Sequence, residues 1–184
     1  NGRSDNRQQW AKQIEKAITE HITSNPEAKA KFDNVCAIKG LGIISVATVV
    51  AETYGFILFE NYKQVVSYAG YDVVENQSGN HIGKTRISKK GNPRIRRILY
   101  MPALVVKTCQ EPAFINLYNR TFERHGIKMK SYVAIQKKLL VMIYYLWKKN
   151  EKYNPNYGMN IQEKELVLPS LLAFEKGKNE VASL

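Results

Sequence analysis

Apolar residues recur at helical spacing in the first part of the chain. From about Asp5 to Thr23, Trp10, Ile14, Ile18 and Ile22 follow one another every four residues. Such spacing gives a helix one narrow apolar stripe, and the rest of its surface is polar. We therefore predict a helical arm that packs on a partner helix.

Start and stop signals predict further helices. Asn25-Pro26, Asn92-Pro93 and Glu111-Pro112 each place a proline in a first helical turn, where it is tolerated best. The predicted helices run from residue 26 to about 37, from 92 to about 109 and from 112 to 126, with a shorter one over 61–69.

The last long helix carries the strongest core pattern. Leu139, Ile143 and Leu146 repeat with helical spacing, and Met142 and Trp147 belong to the same apolar set. Ser131 has the residue type of a helix N-cap and is predicted to begin this helix. Residues 71–87 instead predict a short β-hairpin or an ordered loop, because glycines interrupt an apolar run.

A turn with two glycines separates two helical segments. Gly40-Leu41-Gly42, preceded by Lys39, resembles the turn of a helix-hairpin-helix module. In such a module, backbone N–H groups at the start of the second helix hold a DNA phosphate. An ordinary helix connection that uses glycines for steric reasons explains the pattern equally well.

These elements predict an all-α fold. The expected architecture is a helix-hairpin-helix-containing helical domain with a small β-hairpin or loop insertion and an N-terminal helical arm. Residues 1–37 are assigned to the arm, residues 38–153 to the main domain and residues 154–184 to a peripheral tail.

Composition favours a polyanionic partner. The 28 Lys and Arg residues outnumber the 16 Asp and Glu residues, which gives a formal net charge of +12. No apolar run is long enough to span a membrane, and the polar start predicts no signal peptide. Cys36 and Cys109 lack metal-ligand spacing and are expected to be buried thiols, so we expect a cytoplasmic protein without a metal site.

One stretch of the chain carries charge of a single sign. Residues 76–110, called here the acid-free stretch, contain no Asp or Glu. A solvated surface normally mixes both signs, so this stretch predicts a phosphate-binding surface, with a merely soluble loop as the alternative. Its basic residues are Lys84, Arg86, Lys89, Lys90, Arg94, Arg96, Arg97 and Lys107.

The same stretch carries a family resemblance. The run Gln77-Ser78-Gly79, the segment Arg86-Ile87-Ser88-Lys89-Lys90-Gly91 and the run from Arg94 to Ala103 resemble the C-terminal transposase domain of the bacterial DEDD-type insertion-sequence transposases, the bridge-RNA-guided recombinases. The upstream Gly-Leu-Gly turn and Tyr68-Ala69-Gly70 match in the same order. Several ordered segments are more specific than any one of them.

The resemblance implies a chemistry and a set of partners. Ser78 takes the position of the family's nucleophile, which attacks a DNA phosphodiester and becomes joined to the strand. The expected nucleic-acid contacts are the basic residues of the stretch other than Lys107, together with Ser88, Lys39, Gly40 and Gly42.

The family's second half-site is an N-terminal ribonuclease-H-like domain that holds Mg²⁺ through four acidic residues. Nothing here resembles that domain, so we expect a fragment that is inactive alone, acts with DNA and a guide RNA, and forms homo-oligomers through its helical arm.

Other interpretations of these residues remain. Ser88 is a rival nucleophile, although its place before Lys89-Lys90-Gly91 favours a hydrogen-bonding role. His81 lies three residues beyond Ser78 and is a candidate general base. The whole chain also fits a non-catalytic helix-hairpin-helix module that binds DNA or RNA.

Overall fold

The computed structural model describes residues 2–74, 77–78, 81–82 and 86–155. This part of the chain is mainly helical, with a small β insertion, which confirms the predicted fold class. The helices are α1 (Gly2–Ser24), α2 (Pro26–Cys36), α3 (Ile43–Glu52), α4 (Tyr62–Tyr68), α5 (Pro93–Ile98), α6 (Tyr100–Thr108), α7 (Pro112–His125) and α8 (Lys128–Lys149), with a short 3-10 helix at Tyr54–Phe56. The strands are β1 (Val73–Val74), β2 (Gln77–Ser78), β3 (His81–Ile82) and β4 (Arg86–Ile87).

Helix α8 is the centre of the core. It contacts α2, α4, α6 and α7, and its Leu139 and Ile143 side chains are fully buried. Burying a side chain of this size contributes about 1.5–3 kcal/mol. The Trp147 ring meets Phe32 of α2 edge-on at 5.2 Å. The core pattern predicted for this helix is therefore confirmed.

Three of the helices begin at asparagine caps. The side chain of Asn25 accepts hydrogen bonds from the backbone N–H groups of Glu27 and Ala28, and Asn61 and Asn92 cap α4 and α5 in the same way. These bonds satisfy N–H groups that have no partner inside a helix. The start signals predicted at Asn25-Pro26 and Asn92-Pro93 are confirmed.

The helix predicted over 92–109 is divided in two. Helix α5 ends at Ile98 and α6 begins at Tyr100. Pro102 lies four residues beyond Ile98, so it offers no N–H to the Ile98 carbonyl and its ring crowds that carbonyl. The interruption therefore falls one turn before the proline.

The predicted cap at Ser131 is wrong. Helix α8 begins three residues earlier, at Lys128, with Ile127 as its N-cap residue. Gly126 ends α7 in the left-handed conformation, so α8 follows after a single extended residue. Ser131 is fully buried inside α8, and within the described residues its hydroxyl has no hydrogen-bond partner.

The β insertion consists of two antiparallel strand pairs. In the outer pair, β1 and β4, Val73 lies opposite Ile87. In the inner pair, β2 and β3, Ser78 lies opposite His81. The predicted hairpin is thus confirmed, with its base at β1 and β4.

Only the second half of α1 joins the core. Ile22 is buried and Ile18 packs against the core, whereas Trp10 and Ile14 are 65% and 59% exposed. The apolar stripe is therefore present, and its first two members are exposed while its last two contact the core.

The two cysteines differ in their surroundings. Cys36 is half-buried, and burial, with a smaller effect of Asp33, raises the pKa of its thiol to about 11. Cys109 is exposed, so the prediction that both thiols are buried is wrong. Among the described residues, no helix is both long and apolar enough to cross a membrane.

Candidate nucleic-acid interface

The loop formed by residues 88–92, called here the basic loop, is fixed by its backbone. The N–H groups of Ser88, Lys89 and Asn92 donate to the carbonyls of Asp72, Gly70 and Tyr68 at 2.7, 3.1 and 2.8 Å. These bonds hold the loop against the C-terminal end of α4. The side chains of Lys89 and Lys90 remain exposed, and the hydroxyl-bearing Ser88 is half-buried.

A missing side chain permits this close packing. A Cβ atom at Gly91 would collide with the carbonyl oxygen of Tyr68 and would lie 2.6 Å from the amide nitrogen of Gly70. Both are backbone atoms that cannot rotate away. Glycine is therefore required at position 91 for the basic loop to reach α4.

The three arginines around α5 have different environments. The Arg96 guanidinium donates to the backbone carbonyls of Ala69 at 2.6 Å, Lys89 at 3.2 Å and Asn92 at 3.4 Å. It therefore links α4, the basic loop and α5. Arg97 faces solvent, and within the described residues no carboxylate lies at ion-pair distance from it.

Arg94 is held by an acid that lies outside the acid-free stretch. Its guanidinium donates to Glu52 at the end of α3 at 3.0 Å, and the Asn92 side chain donates to the same carboxylate at 2.6 Å. The hydrogen bond from Asn92, followed by that from Arg94, holds the pKa of Glu52 below its ordinary value of 4.5. Glu52 in turn raises the pKa of Arg94. This carboxylate fixes Arg94 and offsets part of the local positive charge.

The glycine turn before α3 contains two different backbone conformations. Gly40 has a positive φ of 92°, and a Cβ atom there would come within 2.9 Å of Val105. Gly42 is the N-cap residue of α3, with an ordinary φ of −83° and open space around its Cα. The Lys39 ammonium lies 3.7 Å from the buried carboxylate of Glu111, and that carboxylate also accepts a hydrogen bond from the Tyr153 hydroxyl. Of the two glycines, Gly40 alone has a positive φ.

Ser78 lies near the tip of the hairpin. The register of β2 and β3 places His81 directly across the backbone ladder from it. Lys84, the remaining predicted cation, lies outside the described residues, whereas Arg86 is exposed on β4. The described residues contain no group of three or more His, Cys, Asp or Glu side chains placed to hold a metal ion.

Further cations lie on helices that the sequence prediction did not include. Lys130 and Lys137 of α8, with His125 of α7, line a cavity of about 480 Å³, called here the α7–α8 cavity. Arg120 and Arg124 line a neighbouring cavity of about 270 Å³. Residues 120 and 124, and residues 130 and 137, have the spacing that places two side chains on one helix face. This spacing could have identified these cations from the sequence. They were missed because the prediction relied on one contiguous stretch.

The comparisons with known proteins find similarity to a family of transposases and to two gene-inverting proteins. Residues 33–119, which include the whole acid-free stretch, match the model of the transposase IS116/IS110/IS902 family. Pilin gene-inverting proteins of Moraxella bovis and Moraxella lacunata are each 27% identical over 154 residues, or 82% of this chain and 48% of each relative. The chain thus spans about half the length of these curated relatives. Together these matches support the transposase family.

Proposed function

We propose that this chain is the DNA-binding and catalytic-serine part of an insertion-sequence transposase. It acts in DNA transposition or recombination by cleaving and rejoining phosphodiester bonds. The matched family model and the name of the pilin gene-inverting relatives support this class of reaction. The site of action is the cytoplasm.

One observation carries the proposal. In the acid-free stretch, exposed cations follow in sequence the strand pair that includes Ser78. Arg86 lies on β4, Lys89 and Lys90 on the basic loop, and Arg97 on α5, and all four are exposed. Cations held on rigid backbone are suited to the oxygens of a phosphodiester.

In the proposed reaction, Ser78 attacks phosphorus in a DNA strand. A Ser78–phosphorus ester forms, the bond to the leaving sugar oxygen breaks, and that oxygen takes up a proton. The serine proton passes to a base, for which His81 is the candidate because it pairs with Ser78 across the strands. Attack by a sugar hydroxyl of another strand then reverses these steps and releases Ser78.

The remaining parts of the reaction belong outside this chain. The described residues contain no cluster of acidic or histidine side chains suited to Mg²⁺. In this proposal the Mg²⁺ site, in an N-terminal domain, completes the active site, and the isolated chain binds DNA without cutting it. A guide RNA selects the DNA, and the exposed Trp10 and Ile14 of α1 pair copies of the protein.

The test uses the longer protein that contains this chain, supplied with its RNA and Mg²⁺. We expect Ser78→Ala to abolish the covalent protein–DNA adduct on a denaturing gel and to leave DNA binding intact. Ser88→Ala is the matched control and should retain the adduct. Survival of the adduct in Ser78→Ala would show that another residue is the nucleophile.

A non-catalytic helix-hairpin-helix module is the second candidate. It is favoured by the N-terminus of α3, where Gly42 leaves open space beside the first helical turn. In that case the chain grips a phosphate through backbone N–H groups, and Ser78→Ala leaves every activity of the longer protein unchanged. Competition between duplex DNA and structured RNA at fixed salt distinguishes its DNA-binding form from its RNA-binding form.

A further inference from the structure

The α7–α8 cavity is lined by both apolar and cationic side chains. Its apolar lining comes from the β1–β4 pair and from α8, and two of its members, Val73 and Met129, are more than half exposed. The apolar residues are Val73, Ile87, Met129, Val133 and Ala134. Arg86, Lys89, Lys130 and Lys137 also line it. Among the described residues that form the cavity there is no Asp or Glu.

The shape of this cavity is fixed by a buried hydrogen bond. Tyr71, which precedes β1, is 1% exposed and donates its hydroxyl proton to the side-chain oxygen of Gln136 on α8 at 2.8 Å. Gln136 is itself buried. Because this bond ties the base of the hairpin to α8, the two walls of the cavity keep their separation without a ligand.

The two kinds of lining restrict the ligand. An anion alone would leave the apolar lining in water, and an apolar molecule alone would make no use of the four cations. A volume of about 480 Å³ is within the usual range for a small-molecule site. A nucleotide satisfies both linings, because its base is flat and largely apolar on its faces while its phosphates are anionic.

We propose that the α7–α8 cavity holds one unpaired nucleotide of a nucleic-acid strand. The base enters between the β1–β4 pair and α8, and its phosphates lie against Arg86, Lys89, Lys130 and Lys137. A base within a duplex is stacked and paired, so the nucleotide must come from a single-stranded, looped or extruded position. This inference rests on the proposed function, since it adds an unpaired strand to the DNA contacts.

The smaller cavity along α7 extends this site. It shares Thr121 and His125 with the α7–α8 cavity and adds Arg120 and Arg124. The side chains that line the smaller cavity are two arginines, a histidine and a threonine. In this arrangement Arg120 and Arg124 are placed to bind the next phosphate of the strand whose base lies in the α7–α8 cavity.

Binding of three DNA probes to the whole chain tests the proposal. The probes are a single-stranded oligonucleotide, the same oligonucleotide with abasic positions, and the corresponding full duplex. We expect the wild type to bind the abasic strand about tenfold more weakly than the intact strand, since base contacts in such sites contribute on that order. Equal affinity for these two probes would mean that only phosphates are recognised, and would overturn the proposal.

A variant that fills the cavity provides the matched comparison. Ala134→Phe should weaken binding of the intact strand about tenfold and leave the duplex and abasic strand unaffected. Ala30→Phe, on the exposed surface of α2, adds the same volume elsewhere and should change nothing. Thermal melting verifies folding, and Lys130→Gln with Lys137→Gln supplies a second variant without added bulk, for which we also expect weaker strand binding.

The outcomes separate this inference from the proposed function. If Ala134→Phe and the lysine variants bind the intact strand as the wild type does while the duplex still binds, the cavity proposal is wrong and the function stands. If the wild type does not bind duplex but shows base-dependent strand binding that Ala134→Phe removes, the cavity proposal holds and the duplex-binding part of the proposed function fails.

Discussion

Arg96 and Arg97 are adjacent in sequence but have different environments in the structure. Within the described residues, the Arg96 guanidinium donates to three backbone carbonyls around the basic loop, at 2.6 to 3.4 Å. Arg97 extends into solvent on the next position of α5. Removing a charged donor from partly buried carbonyls costs more free energy than truncating an exposed side chain. Arg96 therefore has a structural role, whereas the adjacent Arg97 is free to contact a phosphate.

Alanine substitutions at these two positions test that difference. We expect Arg96→Ala to lower the free energy of unfolding by about 1–3 kcal/mol, because it removes charged hydrogen bonds to the loop. Arg97→Ala should leave stability unchanged and reduce the slope of log K against log salt for duplex binding by about 0.9, the loss of one phosphate contact. Urea denaturation and salt titrations provide the two measurements. Equal loss of stability in both variants would show that Arg97 is also structural.

Sequence reasoning at this scale identified residue types but not long-range partners. The acid-free stretch indicated a cationic surface, and its exposed members agree with that prediction. The same pattern could not show that Arg94 meets Glu52, which lies 42 residues earlier. Nor could it separate Arg96 from Arg97, because both have the same charge and lie on the same short helix. Their difference arises from where α4 and the basic loop pack.

At the scale of elements, local capping chemistry was sufficient for most helix starts. Asn25 and Asn92 cap their helices as predicted, since the signal lies within three residues of each start. The prediction failed where two signals competed. Ser131 has the type of a cap residue, yet the left-handed Gly126 ends α7 so close by that α8 begins before it. Pro102 divided a helix whose apolar pattern is continuous, because a missing N–H acts one turn upstream.

The basic loop offers the sharpest test among the elements. We expect Gly91→Ala to lower the free energy of unfolding by about 1–3 kcal/mol, because its Cβ meets backbone atoms of α4. The substituted loop should also lose duplex affinity, as Lys89 and Lys90 would no longer be held in place. Thermal or urea unfolding and binding titrations measure both effects.

Gly42→Ala is the matched control for that substitution. Position 42 has an ordinary φ and open space, so the only expected loss of stability is that of a poorer N-cap residue, no more than about 1 kcal/mol. If both alanine variants unfolded equally easily, the close approach of the basic loop to α4 would not be what distinguishes Gly91.

At the scale of the whole molecule, the net charge of +12 is spread unevenly along the chain. The first two helices mix both signs, and Lys31 pairs with Glu27 while Lys16 pairs with Glu20. The acid-free stretch has no such pairs of its own. A high net charge attracts any polyanion, whereas a one-sided surface binds it in a particular place. The proposed function requires the second of these.

Two charge-matched double variants distinguish these cases. Lys90→Glu with Arg97→Glu changes the net charge by the same amount as Lys12→Glu with Lys29→Glu, and all four side chains are exposed. We expect the first pair to reduce the slope of log K against log salt for duplex binding by the equivalent of about two phosphate contacts. The affinity for duplex should fall at least about tenfold. The second pair lies on α1 and α2, outside the acid-free stretch, so we expect binding to weaken only slightly. Equal losses from both pairs would mean that the overall charge is responsible. The acid-free stretch would then be one basic surface among several, and the serine on its hairpin would lose the DNA strand that the proposed reaction brings to it.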